Sequence, residues 1–288
     1  MSTSRELKRR ITSVNSLQKI TGAMKMIASA RLRKAETALH HTRPYLESLQ
    51  RMLQRVEARP VDHLSPLAEE REARRVAMVV FGSEDGLCGS FNVMLHKKFL
   101  ESRDAHAGAE QVKVYPVGRK IQSEIRKNSA VEIMPLPWTT RQKDHAADML
   151  TLADDLIRQF LDGEVDRVEI IYARFKSIGT QVMTRLPFLP WKGVHAGSQP
   201  APGSDRDYIH EPSRESIIEM LYPLVLRATL LRTLLENQVS EQAARVLSMQ
   251  MASDNATKLL KNLQLEYNKL RQQNITAELL DIAGGTII

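Results

Sequence analysis

The side chains of this 288-residue chain that are best suited to chemistry lie in one glycine-rich loop. The loop covers residues 82–89, GSEDGLCG, and follows a short apolar run at 76–81, the order found in phosphate-binding loops. Its glycine spacing matches neither G-x-x-x-x-G-K-[ST] nor G-x-G-x-x-G, and the adjacent Glu84 and Asp85 would repel a phosphate. A turn that needs glycine backbone angles explains the same residues. The pattern therefore favours a structural turn without a bound cofactor.

Two further groups of reactive side chains are weak candidates. Cys88 has no histidine or other base near it in sequence that could activate its thiol as a nucleophile. His40 and His41 are adjacent, and adjacent residues of a helix face apart, which disfavours a shared metal ion. We identify no catalytic, cofactor-binding or metal-binding constellation in the sequence. A single cysteine also excludes an internal disulfide and suits a reducing compartment.

The loop belongs to a middle segment in which strand and helix patterns alternate. Apolar runs predict strands at 76–81, 112–117, 168–172 and 180–189, and a helical pattern covers about 143–161. Such alternation is typical of an α/β fold with a largely parallel sheet. We therefore predict a central Rossmann-like α/β domain over residues 74–212.

The C-terminal segment has the pattern of a long coiled-coil helix. Residues 224–283 contain neither glycine nor proline, and Gly284-Gly285 ends the run. The positions spaced alternately by three and four residues, which mark a coiled-coil seam, are Val246, Met249, Ser253, Ala256, Leu260, Leu263, Tyr267, Leu270, Asn274 and Ala277. Small and polar seam residues indicate either a weak coiled coil stabilised elsewhere or a thin rod that turns inside another protein.

The N-terminal segment is strongly basic and amphipathic. Residues 1–34 carry nine Lys or Arg residues against Glu6 alone, although the net charge of the whole chain is only +7. Three interpretations compete: a targeting peptide, a nucleic-acid-binding arm and a helix with a basic polar face. The apolar stripe consists of Leu7, Ile11, Val14, Leu17, Ile20, Met24 and Ile27. We predict an antiparallel coiled coil of N-terminal (1–60) and C-terminal (213–288) helices.

Several motifs together resemble the gamma subunit of F-type ATP synthases over nearly the whole chain. The N-terminal match is QKIT at 18–21 and AMKM at 23–26, and the central match is GLCG at 86–89. The C-terminal matches are LLEN at 234–237, SEQAAR at 240–245, DNA at 254–256, YNK at 267–269 and RQ at 271–272. The resemblance implies that the basic N-terminal helix is part of the mature protein.

The resemblance also implies a function. It implies the central shaft of a rotary motor, which couples ion flow to ATP synthesis or hydrolysis and has neither an active site nor a cofactor of its own. The implied partners are three alpha and three beta subunits, the epsilon subunit and the membrane ring of c subunits, without nucleic acid and without a membrane span. The implied location is the cytoplasmic face of a bacterial inner membrane, or the mitochondrial inner membrane after processing.

The same resemblance implies which residues touch the alpha/beta hexamer. They are Met24, Lys25, Arg271, Gln272, Thr276 and Glu278. Met24 is implied to lie near an acidic stretch of beta, and Arg271 and Gln272 to touch an acidic or polar catch on beta. The alternative hypotheses are a coiled-coil scaffold or nucleic-acid-binding protein with a basic arm, and an α/β enzyme that uses the loop at 82–89.

Overall fold

The structure, a computed structural model, describes residues 4–57, 65–128, 131–136, 145–192 and 211–285. It divides into two compact units: residues 31–244, and residues 1–30 together with 245–288. The helices are α1 (Ser4–Glu57), α2 (Phe91–Asp104), α3 (Arg119–Asn128), α4 (His145–Leu161) and α5 (Arg214–Gly285). The strands are β1 (Arg75–Phe81), β2 (Gln111–Val117), β3 (Glu132–Ile133), β4 (Arg167–Ser177) and β5 (Thr180–Leu189).

The unit of residues 31–244 is built on one five-stranded sheet in the order β3-β2-β1-β4-β5. Strand β1 pairs in parallel with β2 and β4, β2 pairs in parallel with β3, and only the β4–β5 pair is antiparallel. Residues of α1, α4 and α5 cover one face of the sheet, and α2 and α3 cover the other. Because both faces are covered, β1 is apolar from Val76 to Phe81 and buried throughout. The predicted Rossmann-like α/β fold is confirmed; the two-residue β3 was missed because it is too short to show a pattern.

A carboxylate–guanidinium pair joins the first residue of β1, Arg75, to Asp166, the residue that precedes β4. The Asp166 carboxylate accepts bonds from the Arg75 backbone N–H at 2.8 Å and from the Arg75 guanidinium Nη2 at 2.9 Å. The Asp166 N–H in turn donates to the Arg75 carbonyl at 2.8 Å. Burial raises the pKa of Asp166, but the bonds from Arg75 outweigh it, so the pKa lies below its usual value. The ionised carboxylate therefore stabilises the folded sheet.

Replacing Asp166 by asparagine is expected to cost about 2 kcal/mol of unfolding free energy near neutral pH, because it removes hydrogen bonds to a charged group. A lowered folded pKa gives stability that is present above the unfolded pKa of about 3.9 and is lost as pH falls through the folded pKa. The original chain and Asp166→Asn should therefore converge in urea unfolding as the pH falls below the unfolded pKa and then through the lowered folded pKa. Asp104→Asn, which alters an exposed pair with Arg103, is the matched control. A difference in stability that persists unchanged in acid would contradict the role of ionisation.

In the same unit, residues 31–57 of α1 run antiparallel to residues 214–244 of α5. Their contact positions on α1 are spaced alternately by four and three residues and include Leu46, Leu49, Leu53 and Val56, all buried in the core. At one end the Arg214 guanidinium donates to the Val56 carbonyl, and the Tyr222 hydroxyl donates to the Glu57 carboxylate at 2.7 Å. Burial, followed by the Glu57 charge, raises the pKa of Tyr222 well above its usual value, so this hydroxyl stays a donor.

The other unit is an antiparallel pair formed by the N-terminal part of α1 and the C-terminal part of α5. The Gln18 amide Nε2 donates to the Thr257 hydroxyl at 2.8 Å, which fixes the register of the pair. The predicted α5 seam is confirmed from Val246 to Leu270, whose seam positions are buried or half-buried. The prediction is wrong for Asn274 and Ala277, which are exposed. Ser4, the first described residue of α1, lies fourteen residues before Gln18, and Arg271 lies fourteen residues after Thr257. In an antiparallel pair Ser4 therefore stands opposite Arg271, and the described part of α1 ends before it reaches Asn274 and Ala277.

The α1 seam also differs from the predicted stripe. Leu7, Ile11 and Val14 lie on it as predicted, but the buried or half-buried positions then continue through Gln18, Thr21, Lys25 and Ala28. Leu17, Ile20, Met24 and Ile27 each precede a seam position by one residue and are exposed. The α1 helix therefore presents two adjacent stripes: a partly polar one that faces α5, and an apolar one that faces outward. None of the helices in the described ranges is both long and apolar enough to cross a membrane.

Candidate functional site

The place where a parallel α/β sheet usually binds a ligand is the crevice at which neighbouring connections leave in opposite directions. In this sheet that point lies between β1 and β4, just beyond the carboxyl end of β1. The glycine-rich loop at 82–89 starts there, so the sequence candidate and the geometric candidate coincide. What occupies the crevice decides what this domain can do.

The polar groups of the loop bond to the two helices that follow it. The Asn92 amide of α2 accepts from the Ser83 N–H at 3.1 Å and donates to the Ser83 hydroxyl at 2.7 Å. The Arg119 guanidinium of α3 lies 3.1 Å from the Glu84 carboxylate and 3.4 Å from that of Asp85. Cys88 is buried, with its sulfur 3.5 Å from the Asn92 amide nitrogen. These contacts make the loop a turn that is held by α2 and α3.

Glycine in this region permits close packing of the turn against its neighbours. A Cβ atom on Gly82 would lie 2.3 Å from the Cβ of Ile121. Gly118, at a positive φ of 118°, would place a Cβ 3.0 Å from the Gly82 carbonyl carbon. The two backbones therefore meet where a phosphate-binding loop would need open space for its ligand.

Helix α5 fills the crevice beyond β1. Strand β1 pairs with β4 only as far as Val80 and Ile171, whereas β4 continues to Ser177. Past that point the Ala173 N–H donates to the Asn237 side-chain oxygen at 3.1 Å, and the Ser240 hydroxyl donates to the Ala173 carbonyl at 2.7 Å. The Asn237 side-chain nitrogen also donates to the Gly82 carbonyl at 3.3 Å, so it links α5 to both strands. Side chains of α5 thus bond to the edge of β4 where a strand would otherwise pair.

Glu236 lies on the same turn of α5 and is also buried. Its carboxylate stands 3.8 Å from the Arg232 guanidinium and 4.0 Å from that of Arg174. Burial raises the pKa of Glu236 above its usual range, although the Arg232 and Arg174 charges oppose the shift. Burial and then the Glu236 charge raise the pKa of Tyr172 to about 12, which keeps its hydroxyl protonated.

The residues implied as partner contacts fall into two groups in the unit of 1–30 and 245–288. Met24 lies on the outward apolar stripe of α1 with 38% of its surface exposed, whereas its neighbour Lys25 is half-buried at a seam position. Arg271 lies opposite Ser4, the first described residue of α1, and Gln272, Thr276 and Glu278 lie further along α5; all four are exposed. The Thr276 hydroxyl donates to the Gln272 carbonyl of its own helix at 2.9 Å.

Comparison with known proteins distinguishes among the interpretations that the sequence left open. The family model described as ATP synthase matches residues 3–287. The ATP synthase gamma chain of Phocaeicola vulgatus is 40% identical over all of both chains, and that of Parabacteroides distasonis is 38% identical over all of this chain and 99% of its own. The chain belongs to the ATP synthase gamma family. The relationship to ATP synthase gamma chains covers the full length of this chain, including both terminal helices.

Solved structures of the gamma family's assemblies share this fold. The rotor of the Euglena gracilis mitochondrial ATP synthase aligns with a TM-score of 0.63 and 17% identity, covering 94% of this chain and 98% of that one. The central stalk and c-ring of the Tetrahymena thermophila mitochondrial enzyme aligns with a TM-score of 0.55 and 21% identity, covering 81% and 99%. At these identities the likeness concerns the fold, a five-stranded mixed sheet with long terminal helices.

Sequence reasoning did not find the role of Asn237 and Ser240 in this gamma-family chain. The segment was noted only as part of a family motif. One signal was available: these two polar residues on one helical turn stand within the buried apolar pattern of Leu234, Val239 and Ala243. Buried polar side chains need partners, so this turn had to bond to something outside the helix.

Proposed function

We propose that this chain is the central shaft of a rotary F-type ATP synthase, standing inside a ring of three alpha and three beta subunits. The observation that carries the proposal is the full-length similarity to curated gamma chains at about 40% identity. The central domain rests with the epsilon subunit on the membrane ring of c subunits. The chain is peripheral, on the cytoplasmic face of a bacterial inner membrane, and ion flow through the membrane sector turns it.

In this function the chain acts by making different contacts with each beta subunit, and it neither forms nor breaks a covalent bond. As it turns, it presents different faces to each beta subunit, and a contact that favours one beta conformation shifts the nucleotide affinity of that site. Met24, Lys25, Arg271, Gln272, Thr276 and Glu278 are the proposed contacts. Five of the six are exposed in the described chain, which leaves their side chains available to a partner. ATP chemistry belongs to the alpha and beta subunits.

Purification of the tagged chain from its native membrane tests the proposal. Alpha and beta subunits should accompany it in equal numbers, together with epsilon and c, and the complex should hydrolyse ATP. The untagged strain taken through the same procedure is the control. Recovery of the chain without alpha and beta subunits, in detergent that preserves other membrane complexes, would end the shaft proposal.

A further inference from the structure

The contact between α5 and the edge of β4 is built from directional bonds. Three hydrogen bonds join one turn of α5 to the ends of two strands: two at Ala173 and one at Gly82. The N–H and C=O groups of one strand residue point to the same side, so both bonds of Ala173 are made to the same neighbour. That neighbour is a turn of α5, whose side chains make the hydrogen bonds that a neighbouring strand would otherwise make.

These bonds are shielded from water. Asn237 is 1% exposed and Ser240 is fully buried. Loss of either side chain leaves backbone groups of Ala173 buried without a partner, which is costly in a sheet interior. The energy of this contact therefore rises steeply when α5 moves away from its position.

Directional bonds fix a rotation that apolar contacts leave free. Apolar burial depends on area and has no preferred angle, whereas a hydrogen bond weakens steeply as its angle departs from linear. A turn of α5 about its own axis by one residue position, about 100°, would carry Asn237 and Ser240 away from β4 together. Burial of Leu226, Leu230 and Val239 alone would resist such a turn less sharply.

We propose that Asn237 and Ser240 are positioning residues that lock α5 to the central sheet against rotation, so that torque passes between helix and sheet through these three bonds. The proposal rests on the proposed shaft function, in which α5 is turned relative to a fixed hexamer. In that setting the α5–β4 joint, defined as Asn237 and Ser240 with Ala173 and Gly82, sets the torsional stiffness between helix and sheet. The crevice that holds ligands in other α/β domains here holds a mechanical joint.

Single-molecule measurement of the assembled enzyme tests the joint. The hexamer is fixed to a surface and locked with a non-hydrolysable nucleotide, and a bead is attached to the exposed α2 position through Lys97→Cys. Angular fluctuations of the bead report stiffness, because variance rises as stiffness falls. Asn237→Leu removes two of the three bonds, so the angular variance should rise about threefold if the bonds act in parallel. Ser240→Ala, the milder variant, removes one and should raise the variance by about half.

Thr233→Val is the matched control. Thr233 is also buried on α5, but its hydroxyl bonds only to the Thr229 carbonyl of the same helix. Unchanged variance in Thr233→Val together with the graded rise in the other two supports the joint. Unchanged variance in Ser240→Ala and Asn237→Leu, or an equal rise in all three, overturns it. ATP-driven rotation of the bead on the unsubstituted joint tests the shaft function separately, since its absence would refute that function whatever the variances are.

Discussion

Replacing Arg271 and Gln272 together by alanine is expected to lower ATP hydrolysis by the assembled enzyme about tenfold. The guanidinium can make charge-assisted bonds to an acidic or polar group on beta at some rotor angles, and one such bond contributes about 1.5–3 kcal/mol. Loss of that energy from a rate-limiting angle corresponds to at least a tenfold slower step. The substitution should not disturb the chain itself, because both side chains are exposed on α5.

A second pair of substitutions separates this contact from general effects on the helix. Lys269→Ala with Asn274→Ala removes a cation and an amide that lie two positions from Arg271 and Gln272, about 200° around the helix. Hydrolysis, corrected for the amount of assembled complex, should fall much less in this control. Equal losses in the two double variants, or unchanged hydrolysis in the first, would remove Arg271 and Gln272 from the coupling role. Nucleotide binding by isolated beta subunits should be the same throughout.

Met24→Lys should retain substantial ATP hydrolysis but lose much of the ion-driven ATP synthesis. On the proposed placement Met24 passes an acidic stretch of beta, and its unbranched apolar side chain slides past without a fixed ion pair. A lysine there gains about 1–2 kcal/mol of attraction at one rotor angle. That deepens one rotational well and slows escape from it roughly 5–30-fold. Assembly should survive, because Met24 lies on the outward stripe and not on the seam with α5.

The measurement is both rates in the same membrane vesicles. Met26→Lys is the matched control, since Met26 is 73% exposed and lies two positions away on another face of α1. It should leave the ratio of synthesis to hydrolysis unchanged. If synthesis and hydrolysis fall in equal proportion in Met24→Lys, the defect is one of assembly. If Met26→Lys changes the ratio as much, the added charge acts without regard to position.

Much of the fold could be predicted because its patterns are local. The strands from β1 to β5, apart from the two-residue β3, follow from apolar runs, and the α5 seam follows from its spacing. The α1 seam could not be predicted in the same way. Two stripes one residue apart have the same period, and the sequence favours the more apolar one, with Leu17 and Ile20. The buried stripe is instead the one with Gln18 and Thr21, because Gln18 bonds to Thr257 on the other helix.

The contacts of the crevice were beyond reach of the sequence for a related reason. Asn237 and its partner Ala173 are separated by 64 residues, and no periodicity connects them. The loop at 82–89 shows the opposite case: its glycines and acidic residues argued against a phosphate site. In the structure its acidic side chains pair with Arg119 and Gly82 packs closely against Ile121. The proposed partner contacts follow from the family resemblance alone, because exposed residues such as Arg271 leave no mark in the chain's own packing.

The Gln18–Thr257 bond joins residues 239 positions apart, and this separation has a consequence during synthesis. A ribosome adds about 5–20 residues per second, so Gln18 waits roughly 12–48 s before its partner is made. Throughout that interval the stripe of α1 that faces α5 in the folded chain, which includes Leu7, Ile11 and Val14, has no partner. Nine cationic residues against one acidic residue in positions 1–34 give emerging chains a like charge. Repulsion between like charges opposes association of these chains while the helix is unpaired.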